Sequence, residues 1–246
     1  TAMGCEYLGE KFDIHTGGVD HIPVHHTNEL AQARGAFGDR HADYWLEGEF
    51  LNVKDGKMSK SKGDFLRLET VKERGYHPLD FRYLCLLTQY RKPMKFSWDA
   101  LSAARESRLR IEEEVRRLRE TADGVGTPIQ SFVGAFDDAV FDDLNIPKGL
   151  AVLNNVLKSD SDAADILATV FDLDETLGLS LRSVEPHDVP DAVVDLAERR
   201  QALRDEERFE EADELRENIR ERGFNVEDVD GSYRLTPRRR PRSQGR

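Results

Sequence analysis

The chain has 246 residues, of which 34% are charged and 38% hydrophobic, and its formal net charge is −12. This length suffices for one or two domains, and no apolar run approaches the roughly 18 residues that a membrane-spanning helix needs. With only two cysteines, Cys5 and Cys85, a disulfide-built scaffold is excluded and a reducing cytoplasm is expected.

Residues 1–75 are predicted to alternate short strands with glycine turns and one helix. A strand is predicted at Phe12–His15, a helix from Asn28 to about Phe37, and a second strand region over Tyr44–Val53. This order is typical of half of a doubly wound parallel sheet, whose ligands bind where the strands end. The residues that directly follow the first strand are therefore candidates for ligand contact: His15, Gly17, Gly18 and Asp20.

A loop with two lysines, Lys57-Met58-Ser59-Lys60-Ser61, follows the second strand region. Ammonium groups on flexible stems act as mobile point charges for phosphate, so Lys57 and Lys60 suit a triphosphate. Composition alone favours a solvated basic surface loop instead, because lysine-rich turns are common.

From Leu68 onward the pattern is helical. We predict helices over residues 76–122, a bundle of two or three helices over 129–182, and a charged helix or helix pair from Val193 to Arg222. Linkers are predicted at Thr121–Pro128 and Ser183–Pro190, and a hairpin at 223–235 with Asp230-Gly231 as its turn. The last residues, 236–246, are an arginine-rich tail of the kind that is usually disordered. The predicted fold class is thus α/β followed by mostly α.

The segment from Phe12 to Glu29, including His15-Thr16-Gly17-Gly18-Val19-Asp20 and His25-His26-Thr27-Asn28-Glu29, precedes the Lys57–Ser61 loop. Together they resemble the catalytic core of the class I aminoacyl-tRNA synthetases, and the His-His-x-Asn-Glu ending resembles the cysteinyl-tRNA synthetases. Phe136–Pro147 and Ala212–Leu235 are similar to that family's bundle and C-terminal module.

The resemblance implies five parts. Residues 1–75 would be the second half of a Rossmann-like catalytic domain, 76–122 stem-contact helices, 129–182 a helical bundle, 190–235 an anticodon-side module, and 236–246 a basic tail. It also implies a monomer that binds cysteine, tRNA(Cys) and ATP with Mg²⁺. No membrane association is implied.

The resemblance assigns roles to individual residues. ATP contacts are implied for Gly18, Asp20, Lys57, Met58, Ser59, Lys60 and Ser61. Lys57 and Lys60 would stabilise the transition state of cysteinyl-adenylate formation on its pyrophosphate side. His15 would lie near the substrate cysteine.

A zinc site is implied at His25 and Glu29. Their i, i+4 spacing at a helix start puts both side chains on one face, although most such pairs are surface contacts. In the family, two cysteines complete the site and the zinc binds the substrate thiolate. The sequence places neither cysteine here: one belongs to an earlier segment, and the other would immediately precede Thr1.

The chain begins with Thr1, so we expect a fragment that lacks the N-terminal part carrying the HIGH-type motif and is inactive alone. Two alternatives remain open: a ligase that joins cysteine to an amino-sugar in thiol biosynthesis, and a non-catalytic helical RNA-binding or interaction protein.

The net charge opposes the approach of a polyanion such as tRNA. An acidic surface is typical of proteins from a salt-rich cytoplasm, where fields are screened within a few Å. We therefore favour a halophile-like protein, with clusters such as Asp137-Asp138, Asp142-Asp143 and Asp160–Asp162 on its surface.

Overall fold

A computed structural model describes residues 1–53, 67–229 and 232–238. The described chain divides into two compact units, Thr1–Val184 and Glu185–Arg246. The boundary between them falls inside the predicted linker Ser183–Pro190.

The first unit begins with alternating helices and strands and continues as helices. Its elements are α1 (Ala2–Leu8), β1 (Phe12–Gly18), a 3₁₀ turn (Val19–His21), a π turn (Ile22–His26), α2 (Thr27–Phe37), β2 (Ala42–Gly48), β3 (Leu51–Val53), α3 (Leu68–Glu73), α4 (Pro78–Leu86), β4 (Met94–Phe96), α5 (Trp98–Thr121), α6 (Gln130–Phe141), α7 (Ile146–Val156), α8 (Ala163–Leu177) and a 3₁₀ turn (Leu181–Ser183). The second unit has α9 (Asp191–Asp205), α10 (Phe209–Glu221), β5 (Phe224–Val229) and β6 (Ser232–Pro237).

The predicted strand region Tyr44–Val53 is two strands in different sheets. β2 pairs in parallel with β1, and β3 pairs in parallel with β4. The chain changes partner between them: the Glu49 N–H donates to the Tyr90 carbonyl at 2.8 Å, and the Phe50 carbonyl accepts from Met94 at 2.9 Å. A pattern of alternating apolar residues cannot show such a change, because it is the same in either sheet.

Helix α4 begins with a full set of start signals. Pro78 occupies its first turn, the His77 ring accepts from the Leu79 N–H at 3.2 Å, and the Asp80 carboxylate accepts from the His77 N–H at 2.9 Å. Asp80 is fully buried because its other oxygen accepts from Arg108 Nε on α5 at 2.8 Å. The residue that caps α4 therefore also attaches it to α5.

Helix α5 places Leu101, Ala104, Ile111, Val115 and Leu118 in the core of the first unit at helical spacing. This core continues through the buried faces of α4, α7 and α8.

The second unit has a small core of its own. Val193 and Ala197 on α9 pack with Ile219 on α10 and Val226 on β5. The predicted charged helix or helix pair is thus a pair, α9 and α10, and the predicted hairpin is the antiparallel pair β5–β6. Its predicted turn, Asp230-Gly231, lies outside the described residues.

In the parts of the chain that the structure describes, no helix is long and apolar enough to cross a membrane. The predicted Asp clusters on α6, on the turn after it and before α8 are exposed.

Candidate functional site

The candidate site lies beside β1 and is built by three elements that are close together in the sequence. β1 supplies His15, the π turn that follows supplies His25 and His26, and the first turn of α2 supplies Glu29. A fourth element, β2, lies beside β1 in register, so that His15 is paired with Trp45. The predicted strand at Phe12–His15 extends to Gly18, and the helix predicted from Asn28 begins at Thr27.

The predicted metal pair, His25 and Glu29, lies on one face as the spacing predicts. His25 Nε2 is 3.9 Å from Glu29 Oε2. Ligand atoms held at 2.0–2.1 Å by a tetrahedral zinc ion lie roughly 3.3 Å apart, so a small side-chain rotation would bring both to one ion. The residues therefore fit a zinc ion, although the His25 side chain is 62% exposed and contributes little to enclosing it.

His15 binds the same carboxylate more closely than His25 does. Its Nε2 lies 2.7 Å from Glu29 Oε2, and the Thr1 amine lies 3.4 Å from Oε1. Burial raises the pKa of Glu29, but the hydrogen bond and charge of His15 and the charge of the Thr1 amine outweigh it and leave that pKa below its ordinary value. Glu29 is thus an ionised acceptor at neutral pH.

His26 faces a second carboxylate, which the sequence analysis did not single out. The His26 ring is buried, and its Nδ1 lies 2.6 Å from Glu47 Oε1 on β2. Among the described residues, Glu47 Oε2 is buried with no hydrogen-bond partner. No local sequence pattern marks Glu47, because the parallel register, in which Gly17 is paired with Glu47, is what brings it to His26.

The glycines after His15 are required by the site itself. A Cβ on Gly17 would lie 2.4 Å from the His26 ring, and a Cβ on Gly18 would lie 2.5 Å from the Asp20 carboxylate. Both glycines therefore allow the π turn and the 3₁₀ turn to fold back against β1.

An open cleft of about 310 Å³ lies over the site, and it is lined by Thr1, Asp20, Val24, His25, Asn28, Glu29 and Gln32. Of the predicted site residues, it brings together Asp20, His25 and Glu29. His15 joins them through its hydrogen bond to Glu29. The loop from Lys57 to Ser61, with Met58, Ser59 and Lys60, lies outside the described residues, so its contacts stay a prediction.

Three arginines of α5 have partners within the protein. Arg108 is buried between Asp80 and Glu112, and Arg105 donates to the Gly75 carbonyl at 3.1 Å and lies over the Tyr76 ring. Arg116 pairs with glutamates of its own helix. These guanidinium groups are engaged within the protein.

A second cleft, of about 280 Å³, lies in the second unit, and it is lined by Gln201, Arg204, Asp205, Phe209, Asp228, Val229 and Ser232. Asp228 accepts two hydrogen bonds from the buried Arg200, at 2.7 and 3.2 Å, and lies 3.4 Å from Arg204. The Arg200 hydrogen bond holds the pKa of Asp228 below its ordinary value, against the effect of burial. Phe209 is 54% exposed beside it.

Two family models match the chain. Residues 1–106 match the catalytic domain of class I (C) tRNA synthetases, and residues 187–233 match the anticodon binding domain of cysteinyl-tRNA ligase. The first matched segment contains the histidine site, and the second contains the cleft around Asp228.

Curated relatives that match nearly all of this chain are named cysteine–tRNA ligases. Cysteine–tRNA ligase 1 of Burkholderia lata is 43% identical over 242 residues, which cover 96% of this chain and 50% of the relative. The cysteine–tRNA ligase of Treponema denticola is 34% identical over 263 residues, which cover 94% and 54%. The chain therefore spans about half the length of the curated relatives it matches.

A solved structure supports the fold. LeuRS of Agrobacterium radiobacter, in a ternary complex with tRNA and LeuAMS, matches 70% of this chain and 26% of its own with a TM-score of 0.51. At 17% identity, this match concerns the fold alone.

Proposed function

Since this chain belongs to the cysteinyl-tRNA synthetase family, we propose that it serves the ATP-dependent attachment of cysteine to tRNA(Cys) through a cysteinyl-adenylate. The observation that carries the proposal is the presence, on one chain, of a matched catalytic segment with the His15–Glu29 site and a matched anticodon-binding segment. The second match favours tRNA over an amino-sugar as the acceptor. The ionisable residues of the first segment favour an enzyme over a non-catalytic binder.

The proposed cysteine pocket lies at the cleft above α2. His25 and Glu29 would hold the zinc ion together with two thiolates supplied from outside these 246 residues. Zinc, when bound, supplies an open coordination position that favours a thiolate over an alcohol, so cysteine is distinguished from serine.

The chain's own residues then position the rest of the substrate. His15 is held by Glu29 and would lie against the cysteine. Asp20, in the same cleft, would accept hydrogen bonds from the ATP ribose, with the Gly18 backbone next to it. Lys57 and Lys60, on the loop with Met58, Ser59 and Ser61, would bind the phosphates of ATP–Mg²⁺.

The second unit is proposed to bind the anticodon end of tRNA at the cleft of Arg204, Phe209 and Asp228. An exposed aromatic ring can stack on an unpaired base, and an ionised carboxylate accepts hydrogen bonds from base amino groups. We propose a monomer that acts in the cytoplasm.

The two half-reactions, adenylate formation and transfer of cysteine to tRNA, test the two proposed sites separately. In the longer protein that contains this chain, Phe209→Ala should weaken tRNA cysteinylation while leaving cysteine-dependent ATP–pyrophosphate exchange intact, because adenylate formation needs no RNA. Loss of one stacked base corresponds to about 1–3 kcal/mol, or roughly 5- to 150-fold in the kcat/KM for tRNA. Phe141→Ala, which changes an exposed phenylalanine of the first unit, is the control.

The 246 residues alone should catalyse neither half-reaction, because two proposed zinc ligands are supplied elsewhere. Cysteine-dependent exchange by the isolated chain would contradict the proposed division of the site. Equal loss of both half-reactions in Phe209→Ala would mean that the second unit is structural.

A further inference from the structure

We propose that Asp143 is a positioning residue: through Tyr90 and Arg91 it attaches the junction of β2 and β3 to the helical bundle of α6, α7 and α8. Composition places Asp143 in an exposed acidic pair with Asp142. In the structure, however, its carboxylate accepts hydrogen bonds from three side chains of the loop between α4 and β4. The effect on catalysis rests on the proposed function, whereas the contact itself does not.

Both oxygens of the Asp143 carboxylate are engaged. Arg91 donates to them from Nε at 2.5 Å and from Nη2 at 3.1 Å, and the Tyr90 hydroxyl donates to Oδ1 at 2.6 Å. These hydrogen bonds, that of Arg91 first, hold the pKa of Asp143 below its ordinary value. The Arg91 and Asp143 side chains are 61% and 45% exposed, so their charges alone contribute little. The two-point geometry and the additional donors are what give the contact its orientation.

The loop that supplies these donors is folded around Gln89. The Gln89 side-chain oxygen accepts from the Arg91 N–H at 2.8 Å, and the Gln89 carbonyl accepts from the Lys92 N–H at 2.9 Å. The Gln89 amide group also donates to the Asp143 carbonyl at 3.3 Å. The loop therefore holds both the side chain and the backbone of Asp143.

The turn that carries Asp143, between α6 and α7, has an uncommon backbone. Two consecutive residues are left-handed, with φ of 54° at Asp143 and 53° at Leu144. This conformation is costly for residues other than glycine, and an aspartate tolerates it better than a leucine does. Such backbones persist where the surrounding contacts determine them. The contacts with the loop at Gln89, Tyr90 and Arg91 are suited to hold this turn in one conformation.

Tyr90 carries the contact from the bundle to the strands. Its hydroxyl donates to Asp143, while its main-chain carbonyl accepts from the Glu49 N–H at 2.8 Å. Glu49 lies between the end of β2 and the start of β3, where the chain changes from one sheet to the other. Strand β3 ends at Val53, shortly before Lys57 in the sequence. Release of Tyr90 would therefore loosen the start of the strand that precedes the two lysines.

The Glu49 amide reports on this contact in the full chain. Asp143→Asn keeps the size of the side chain and suits a left-handed backbone, but it removes the charge that pairs with Arg91. The hydrogen-exchange rate of the Glu49 amide, measured by NMR, should rise about 3- to 10-fold, the effect of losing a hydrogen bond of average strength. Asp142→Asn removes the same charge from the adjacent residue and should leave the rate unchanged. Equal rates in the two variants would overturn the proposal.

Tyr90→Phe tests whether the two side chains act together. Alone, it should also raise the exchange rate of the Glu49 amide, because the hydroxyl contact with Asp143 is lost. In the double variant with Asp143→Asn, it should add less than it does alone, since the effects of residues in direct contact are not independent. Fully additive effects would contradict a shared contact. Exchange of the buried α5 amides, which should not change, separates loosening of the junction from loss of the fold.

In a protein that contains this chain and has the proposed activity, the contact should affect ATP more than cysteine. Asp143→Asn should lower the kcat/KM for ATP in cysteine-dependent ATP–pyrophosphate exchange by about 3- to 10-fold. The KM for cysteine should change little, because the candidate site is built on β1, the π turn and α2 rather than on β3. An unchanged kcat/KM for ATP would remove the positioning role. Absence of exchange in the unsubstituted protein would contradict the proposed function, whereas the Glu49 amide would still decide whether Asp143 holds the junction.

Discussion

Individual residues of the site have roles that depend on which neighbour they contact. Glu29 has three basic groups around it, His15, His25 and the Thr1 amine, and its position in the first turn of α2 makes it the centre of the site. Lys60 lies outside the described residues, and its proposed contact with the phosphates of ATP is a prediction from the sequence.

If the proposed function holds in a protein that contains this chain, Lys60→Ala should slow adenylate formation by about 10²- to 10³-fold, the range for losing one donor that acts in the transition state. The KM for cysteine should change little, because the lysine acts on phosphate. Pre-steady-state ATP–pyrophosphate exchange measures both quantities. Lys72→Ala, on the exposed side of α3, is the control, and a rate equal to that of the unsubstituted protein in Lys60→Ala would remove the role.

At two places in the described residues, an ion pair with a buried arginine joins two elements. The Asp80–Arg108 pair attaches α4 to α5 and is almost completely buried. The Asp228–Arg200 pair attaches β5 to α9, with Arg200 1% exposed. In both places a long arginine side chain occupies a position that the helical pattern would assign to the core.

Asp80→Asn should destabilise the first unit by about 3 kcal/mol, the lower end of the cost of breaking a buried ion pair, because Glu112 still compensates part of the Arg108 charge. Chemical denaturation of the full chain, followed by Trp98 fluorescence, measures the change. Asp172→Asn, exposed on α8, should be neutral. A comparable loss in both variants would show that the effect is not due to the buried pair.

The Asp228 pair predicts a pH dependence in the second unit. Its pKa in the folded chain lies below the ordinary value of 3.8, so its stabilisation is fully present above about pH 4 and is lost as the pH falls through the folded pKa. On acidification, the hydrogen-exchange rates of the β5 and β6 amides, corrected for intrinsic rates, should rise. In Asp228→Asn these rates should be raised already at neutral pH. Asp195→Asn on α9 should behave as the parent; identical profiles in Asp228→Asn and the parent would contradict the prediction.

The whole molecule carries a strongly negative charge on an exposed surface. Six aspartates of the predicted clusters are exposed: Asp137, Asp138, Asp142, Asp143, Asp160 and Asp162. A net charge of −12 destabilises the compact chain by self-repulsion, and salt screens that repulsion.

The thermal midpoint should therefore rise between about 0.1 M and 1 M KCl at pH 7, as the Debye length falls from about 10 Å to 3 Å. At pH 5, near the sequence pI of 5.1, the same change in salt should have little effect because the net charge is close to zero. Differential scanning calorimetry at both pH values makes the comparison. A midpoint that is flat or falling at pH 7 would argue against a halophile-like protein.

The sequence by itself determined the features that depend only on residues close together in the chain. The order of Gly17, Gly18, Asp20, His25 and Glu29, followed by the Lys57–Ser61 loop, indicated the family, and helical spacing predicted the position of His25 relative to Glu29. Capping residues and apolar periodicity gave most of the helices, because both depend on neighbours within a turn or two.

Only the tertiary structure decided which residues meet across the chain. Glu47 reaches His26 because β1 and β2 run parallel in a fixed register, and the sequence between them carries no trace of that register. Arg108 is buried rather than free for phosphate because Asp80 lies opposite it on α4. Charge and spacing are local properties, whereas burial and pairing are set by elements that are distant in sequence, and these decided the described part of the site.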